Sequence, residues 1–397
     1  MNLFTLIIVF WYNKVEVMKL KYCIVNGKII LDDQVVEKNL WIENEYITKI
    51  TDEMDPKATV IDAKGNYVSP GFIDVHTHGK NGSDAMNATF EDLDNLSVSN
   101  VRTGVTGFLP TTMTQSQANT YAAIKNIAEN KDKVNGARII GTHMEGPFFN
   151  IKHKGAQPGE YIVEPSIDMF NQMTGEYSDI VKLLSLAPEM PGSKELTTYL
   201  LEKGVTVSLG HTGATYEDGK ALVEVGANHF THTYNAMTPL NHRNPGIVGL
   251  AMDSQNTYAE LILDGHHVSA PAARILYNAK GNDYLTLITD SMEACMKEPG
   301  TYQLGGQAVI VENGTARLKD GTLAGSILCM NDAVKNAMDY FHIDITKAVR
   351  LAALNPAKSI GVDDTLGSIK EGKLADIIIF DEDVRLKHAF VNGKLIY

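Results

Sequence analysis

Residues 70–79 read PGFIDVHTHG, an apolar run that ends in two histidines one residue apart. Side chains of an extended chain alternate between its faces, so His76 and His78 point the same way. Two imidazoles aimed at one point either bind a metal or share a turn by coincidence. Four more polar residues close other apolar runs: Glu145 in ARIIGTHMEG, His211 in GVTVSLGHT, His232 in GANHFTHT and Asp290 in YLTLITDS. Imidazole and carboxylate without thiolate suit one or two divalent ions, Zn²⁺ and also Fe²⁺, Mn²⁺ or Co²⁺, among which the residue types alone do not choose. Glu145, His211 and His232 supply the three protein ligands of a catalytic ion that keeps one position open. His76 and His78 can hold a second ion, with Glu145 bridging the two. Asp290 is then the group that takes a proton from an attacking water and passes it to a leaving amine. A role as a further ligand is compatible with that one.

These residues need a frame that brings strand ends together. Between about 70 and 350 short apolar runs alternate with amphipathic stretches, the pattern of repeated βα units. Eight strand candidates occur: 71–78, 104–112, 137–146, 179–189, 204–212, 226–233, 257–267 and 284–291. FEDLDNLSVSNVRTG and SKELTTYLLEKG read as helices, the second with Ser193 as N-cap and Gly204 as terminator. Eight units over this length predict an α/β fold, a (β/α)8 TIM barrel over 70–355, whose chemistry sits at the carboxyl ends of the strands. A doubly wound open sheet is the competitor, and neither GxGxxG after the first strand nor a P-loop supports it. The flanks, 18–69 and 356–397, are hairpin-like. They contain the near copies VNGKII and VNGKLI, with Asn-Gly and Glu-Asn-Glu as turns, and read as two parts of one small β domain.

The chain has 397 residues and a net charge of −13, which argues against nucleic acid or an anionic membrane as partner. A small anionic substrate is still admissible, since a local basic pair can bind it. Cys23, Cys295 and Cys329 are far apart and lack a CxxC spacing, which suits a reducing compartment and no disulfide framework. LFTLIIVFW near the start is too short to span a bilayer, and no basic residue precedes it. Residues 1–17 are expected to be a disordered extension or a mis-assigned start, and the protein to be cytoplasmic.

PGFIDVHTHG, followed in order by THMEGPF, SLGHT, THTYNAM, LILDGHH and TDSM, resembles the amidohydrolase superfamily. Within it the chain looks like the N-acetylglucosamine-6-phosphate deacetylase family, from about Lys19 to Tyr397. The resemblance implies a barrel with a small β-sandwich domain built from both termini. It also implies a hydrolase that removes acetate from N-acetylglucosamine 6-phosphate, giving glucosamine 6-phosphate. In that family Glu145, His211 and His232 would be metal ligands, Asp290 the catalytic acid/base, and His76 and His78 the pair that permits a second metal. Asn235 and Ala236 would contact the sugar, while Asp264, Gly265, His266 and His267 would line its pocket. Leu323, Ala324 and Gly325 would close over it. Arg243 and His267 would bind the 6-phosphate, and Arg243 would reach across a homodimer interface. In the loop HKGAQPGEY, Ala156 and Gln157 would contact the substrate, and Gln157 falls where many members carry a carbonyl-polarising histidine. Gln157 can donate a hydrogen bond there but cannot carry a proton. His143 reads as support behind the ligands, and His153, four residues before Gln157, either as a substitute for that histidine or, beside Lys152 and Lys154, as a surface residue, whereas His229, His242 and His266 have no role selected by their spacing. The competing readings are another amide hydrolase of the superfamily, such as a D-aminoacylase or a dihydroorotase-like enzyme, and a non-catalytic scaffold.

Overall fold

The computed structural model describes residues 20–397; the extension expected over residues 1–17 lies outside them. Eight parallel strands form the centre: β1 (Phe72–Thr77), β2 (Val105–Thr112), β3 (Thr142–Glu145), β4 (Val181–Leu186), β5 (Thr206–Leu209), β6 (His229–Phe230), β7 (Tyr258–Ile262) and β8 (Leu285–Ile288). Each pairs with the next in order, from β1 with β2 to β7 with β8. Past the end of β8, Asp290 N–H donates to the His76 carbonyl at 2.8 Å, which brings the last strand beside the first. The fold is the (β/α)8 barrel that the strand count predicts.

Every residue of β1, β2 and β7 is buried, so these strands read as apolar runs rather than alternating ones. Their outer faces pack against capped helices. Thr89 and Ser116 accept N–H bonds from the first turns of Phe90–Val101 and Gln117–Asn130. One expected cap is displaced. The helix Ser193–Glu202 is preceded by Gly192 at φ +88°, and Ser193 lies inside it, its hydroxyl donating to the Ala187 carbonyl at 2.7 Å. Gly204 ends that helix as expected, at φ +73°.

Two further sheets form the β-sandwich. One has four strands: Lys21–Val25, Asn39–Glu43, Tyr46–Thr51 and Thr59–Asp62. The other has six and mixes both ends of the chain, with Ile377–Phe380 beside Tyr67–Pro70. Tyr67–Pro70 runs through Gly71 straight into β1. A Cβ on Gly71 would stand 2.0 Å from Thr106 Oγ1, so only glycine allows β1 to leave the sandwich this close to β2. The two near copies behave differently. Asn392-Gly393 closes a hairpin, Val391 pairing with Lys394. Asn26-Gly27 does not: the strand before it joins the four-stranded sheet and the strand after it the six-stranded one. An Asn-Gly pair supplies the left-handed backbone, but the flanking residues decide which sheet covers them. The sequence pattern also did not announce an antiparallel insert after β8, built from Gly300–Leu304, Gln307–Glu312 and Thr315–Arg317. It packs Leu304, Val309, Val311 and Ala316 with Met113, Met292 and Ala324 in a core of its own over the barrel mouth.

Candidate metal centre

Five strands deliver the six candidate residues to one end of the barrel. His76 lies on β1 with His78 just beyond it, and Glu145 ends β3. His211, His232 and Asp290 each stand two residues past the ends of β5, β6 and β8. Those three are non-glycine residues with positive φ: +47°, +29° and +46°. Left-handed backbone costs about 1–2 kcal/mol at each such residue. The burial of one core side chain such as Phe72 or Phe108, about 1.5–3 kcal/mol, offsets that cost. The scaffold thus tolerates strain at the strand ends in order to turn three side chains inward.

The side chains converge. Glu145 Oε1 lies 3.0 Å from His232 Nε2, 3.1 Å from His211 Nε2 and 3.4 Å from His76 Nε2. Its Oε2 lies 3.2 Å from His78 Nε2. Asp290 Oδ1 is 3.2 Å from His78 Nε2 and 3.5 Å from His76 Nε2. The ligand atoms form two trios, His76–His78–Asp290 and Glu145–His211–His232, each with its atoms within 4.8 Å of one another. A tetrahedral ion with bonds near 2.0–2.1 Å separates its ligand atoms by about 3.3 Å, the spacing seen here. Three of the four imidazoles are held from behind through Nδ1: His76 by Glu260 Oε2 at 3.0 Å, His78 by the Thr111 carbonyl at 3.2 Å, and His211 by the His153 carbonyl at 3.0 Å. That arrangement turns Nε2 toward the shared point, as metal-binding histidines require. His76 Nε2 is buried with no hydrogen-bond partner, and His211 and His232 Nε2 stand 3.0 Å apart. The residues therefore fit one or two divalent ions.

Electrostatics agree. Burial alone would raise the Glu145 carboxyl, but His76 and the bonds from His211 and His232 hold it well below the usual carboxylate range. Burial likewise opposes ionisation of Asp290, and His76 and His78 overcome it. Burial lowers His78, yet the two carboxylates drive it up to about 10. The cluster thus calls for positive charge at the Nε2 positions, as protons or as a cation. Burial holds His211 below the usual imidazole range against the pull of Glu145, which favours the neutral, ligating form.

A cavity of about 340 Å³ opens over this cluster, walled by Met113, Ala156, Gln157, Leu304 and Leu323 among others. Asn235, Ala236, His267 and Gly325 also line it. Ala236, at φ +52°, gives its carbonyl to Thr212 N–H, while Asn235 N–H and Nδ2 both donate to the His232 carbonyl. Asp264 stands behind His267, accepting its Nδ1–H at 2.6 Å and the backbone N–H groups of His266 and His267. Gly265 and His266 are exposed, and Ala324 is buried behind the wall. Arg243 is exposed on the 238–245 loop, and its guanidinium has no partner among the described residues. Within one chain it does not line the cavity.

Gln157 is engaged on both sides of its amide. Oε1 accepts Thr114 N–H at 2.8 Å and Nε2 donates to Glu145 Oε2 at 2.6 Å, so the side chain orients the carboxylate. Gln307 Nε2 donates to the Ala156 carbonyl at 2.6 Å and ties the insert to the same loop. His143 donates to or accepts from Ser185 Oγ at 2.8 Å and packs edge-on against His76, ring centres 4.5 Å apart. Sequence reasoning missed Glu260. Fully buried on β7, it takes the Nδ1–H of His76 and the N–H of His232 on one oxygen, while His229 Nδ1 stands 3.3 Å from the other. A lone carboxylate inside the apolar run YAELIL was the available signal.

Residues 67–396 match the amidohydrolase family. An N-acetylglucosamine-6-phosphate deacetylase of Bacillus subtilis is 37% identical over 383 residues, covering 93% of this chain and 97% of that protein. An N-acetylgalactosamine-6-phosphate deacetylase of Escherichia coli O157:H7 is 36% identical over 338 residues, covering 85% and 89%. The crystal structure of an N-acetylglucosamine-6-phosphate deacetylase from Pasteurella multocida superposes with a TM-score of 0.90 at 31% identity, covering 95% of this chain and 99% of that one.

Proposed function

The chain belongs to the amidohydrolase family, and from that premise we propose that it hydrolyses the acetamido bond of N-acetylglucosamine 6-phosphate, releasing acetate and glucosamine 6-phosphate. The observation that carries this reading is the convergence of six ionisable side chains from five strands under a sugar-sized cavity. Glu145, His211 and His232 would hold one divalent ion; His76 and His78, with Glu145 bridging, a second. Imidazole and carboxylate donors favour Zn²⁺ or Fe²⁺. Such ions supply Lewis acidity toward the amide carbonyl and lower the pKa of a water.

The chain's own residues do the rest. Asp290 Oδ1 faces both the cluster and the cavity, placed to take a proton from the water as its oxygen bonds to the acetyl carbon. It returns that proton to the sugar nitrogen as the C–N bond breaks, so acetate and the amine leave in balance. Gln157 and Glu260 fix the carboxylate and the imidazole on which the ions depend. Leu304 and Leu323 exclude bulk water from above. The catalytic barrel in this reading spans 70–355, and residues 18–69 with 356–397 form the small domain. We place the work in the cytoplasm, in keeping with the sugar phosphate as substrate. Among the described residues no helix is long and apolar enough to cross a membrane.

The phosphate falls to His267, oriented by Asp264, and to Arg243. An unpartnered guanidinium outside its own cavity suits a homodimer in which Arg243 serves the neighbouring site. Replacing both by alanine is expected to raise KM for the phosphorylated sugar by about 10²-fold or more, since charge-assisted hydrogen bonds are worth about 1.5–3 kcal/mol each. The kcat value should change only a few-fold. The governing experiment is acetate release by the metal-loaded protein from N-acetylglucosamine 6-phosphate, N-acetylgalactosamine 6-phosphate and unphosphorylated N-acetylglucosamine. Equal turnover with and without the phosphate removes the phosphate site; no turnover of any of the three, with metal bound, removes the deacetylase reading. The galactosamine arm has its own motive, the 36% identity to an enzyme named for that sugar.

Gln157→Ala is expected to weaken metal binding about 10–100-fold, the usual cost of losing a group that orients a ligand, with KM nearly unchanged at saturating metal. Metal titration followed by elemental analysis reads this directly. A raised KM with unaltered metal affinity would instead mean that the amide serves the substrate.

A further inference from the structure

Cys295 and Cys329 are 34 residues apart in sequence, yet their Sγ atoms lie 3.7 Å apart. Cys295 is fully buried in the segment that follows Asp290. It is pinned there: its carbonyl accepts Asn81 N–H at 2.8 Å and its own N–H donates to the Met292 carbonyl at 2.9 Å. Cys329 is half-buried and immediately precedes the helix Met330–Phe341, four residues beyond the cavity-lining Gly325. The two segments already touch, with Ser326 N–H donating to the Asp290 carbonyl at 2.7 Å and Met292 N–H to the Ser326 carbonyl at 3.0 Å.

We propose that Cys295 and Cys329 form a reversible oxidation site, whose intramolecular disulfide fastens the segment carrying Asp290 to the cavity wall at Leu323–Gly325 and slows turnover. Two inert core thiols are the plainer reading, and the asymmetry of the pair opposes it. Cys329 is reachable from solvent and lies at a helix N-terminus, where a thiolate is favoured. The bond from Cys295 holds the Cys329 thiol below its ordinary range against the thiol's own burial, and the Lys80 ammonium adds to that pull. The same bond and burial push Cys295 up, so it stays a thiol until a neighbouring sulfur is activated. A half-buried thiol that solvent reaches, beside a fully buried resolving thiol, is an arrangement that makes oxidation selective.

The oxidant is a low-molecular-weight disulfide. The Cys329 thiolate attacks one of its sulfurs, that S–S bond breaks, and one small thiolate leaves. Cys295 then loses its proton and attacks Cys329 Sγ, expelling the second small thiol. Two protein thiols are oxidised and one small disulfide is reduced to two thiols. A disulfide needs about 2.05 Å between sulfurs, so the pair must close by more than about 1.5 Å. Both backbones are held, Cys295 as described and Cys329 by the Ala333 N–H on its carbonyl at 3.0 Å, so closure strains both segments, the one that follows Asp290 and, through Ile327 and Ser326, the cavity wall. Misplacement of about 1 Å in a site that orients a reactant can cost up to 10²-fold, so kcat/KM is expected to fall at least about tenfold.

The test incubates the metal-loaded full chain with oxidised glutathione. Titratable thiols in denaturant should fall from the three of the sequence to Cys23 alone. Intact mass should drop by ~2 Da, the two hydrogens lost. The kcat/KM value should fall in step and return with dithiothreitol. Cys329→Ser should begin at unmodified activity and keep it through the oxidant. An unchanged thiol count, a stable glutathione adduct on Cys329, or a disulfide that leaves kcat/KM unaltered overturns the proposal. The thiol count and the mass do not depend on which amide is cleaved, so failure of the deacetylase reading would be seen separately.

Discussion

Asp290→Asn is expected to lower kcat about 10²–10⁴-fold while KM and metal content stay close to those of the unaltered protein. Asparagine keeps the shape of the side chain and an oxygen that can face His78 Nε2, where Oδ1 now stands at 3.2 Å. What it loses is the ability to take a proton from water and give it up to a departing nitrogen. The same substitution separates the two roles open to this residue. If Asp290 serves chiefly as a ligand of the His76–His78 position, metal content falls in parallel with kcat, and excess metal in the assay restores part of the activity. If it carries the proton, added metal restores nothing. Elemental analysis beside single-turnover acetate release decides between them.

Most of the candidate site is legible in the sequence, for a reason that lies in barrel geometry. Strand periodicity put His76 and His78 on one face, and the rule that barrel chemistry collects at the carboxyl ends of strands put Glu145, His211, His232 and Asp290 beside them. What stayed hidden depends on how distant segments close against each other. His76 and Glu260 are separated by 184 residues and meet only because β1 and β7 share one barrel interior. Gln157 lines the cavity, where a substrate contact is expected, and its amide is also held by the backbone N–H of Thr114 on one side and Glu145 on the other. Ser193 has the residue type of a cap, but Gly192 takes the cap position and the Ser193 hydroxyl donates to the Ala187 carbonyl instead. The insert over the mouth and the meeting of Cys295 with Cys329 likewise follow from tertiary closure, and no local period encodes them.

Glu260 carries the second large effect, and two substitutions there should part company. Glu260→Ala removes the acceptor of both His76 Nδ1–H and His232 N–H and leaves these donors orphaned in a fully buried place. Breaking a buried charged network in this way costs about 3–5 kcal/mol, so a clear drop in Tm is expected even in metal-free protein. Glu260→Gln should not repeat that loss. Both bonds fall on the same oxygen, Oε2, so a glutamine that turns its carbonyl to that position preserves them and can present its amide to His229. The negative charge behind His76 does disappear, and with it part of the ring's basicity as a ligand. Metal affinity at the His76–His78 position should then fall about 10–100-fold with the fold intact. Thermal unfolding without metal, followed by metal titration of each variant, reads the two effects apart. Equal destabilisation by both substitutions would mean that the charge itself supports the fold, through the imidazoles around it. Unaltered metal affinity in Glu260→Gln would mean that position alone, not basicity, is what Glu260 gives to His76.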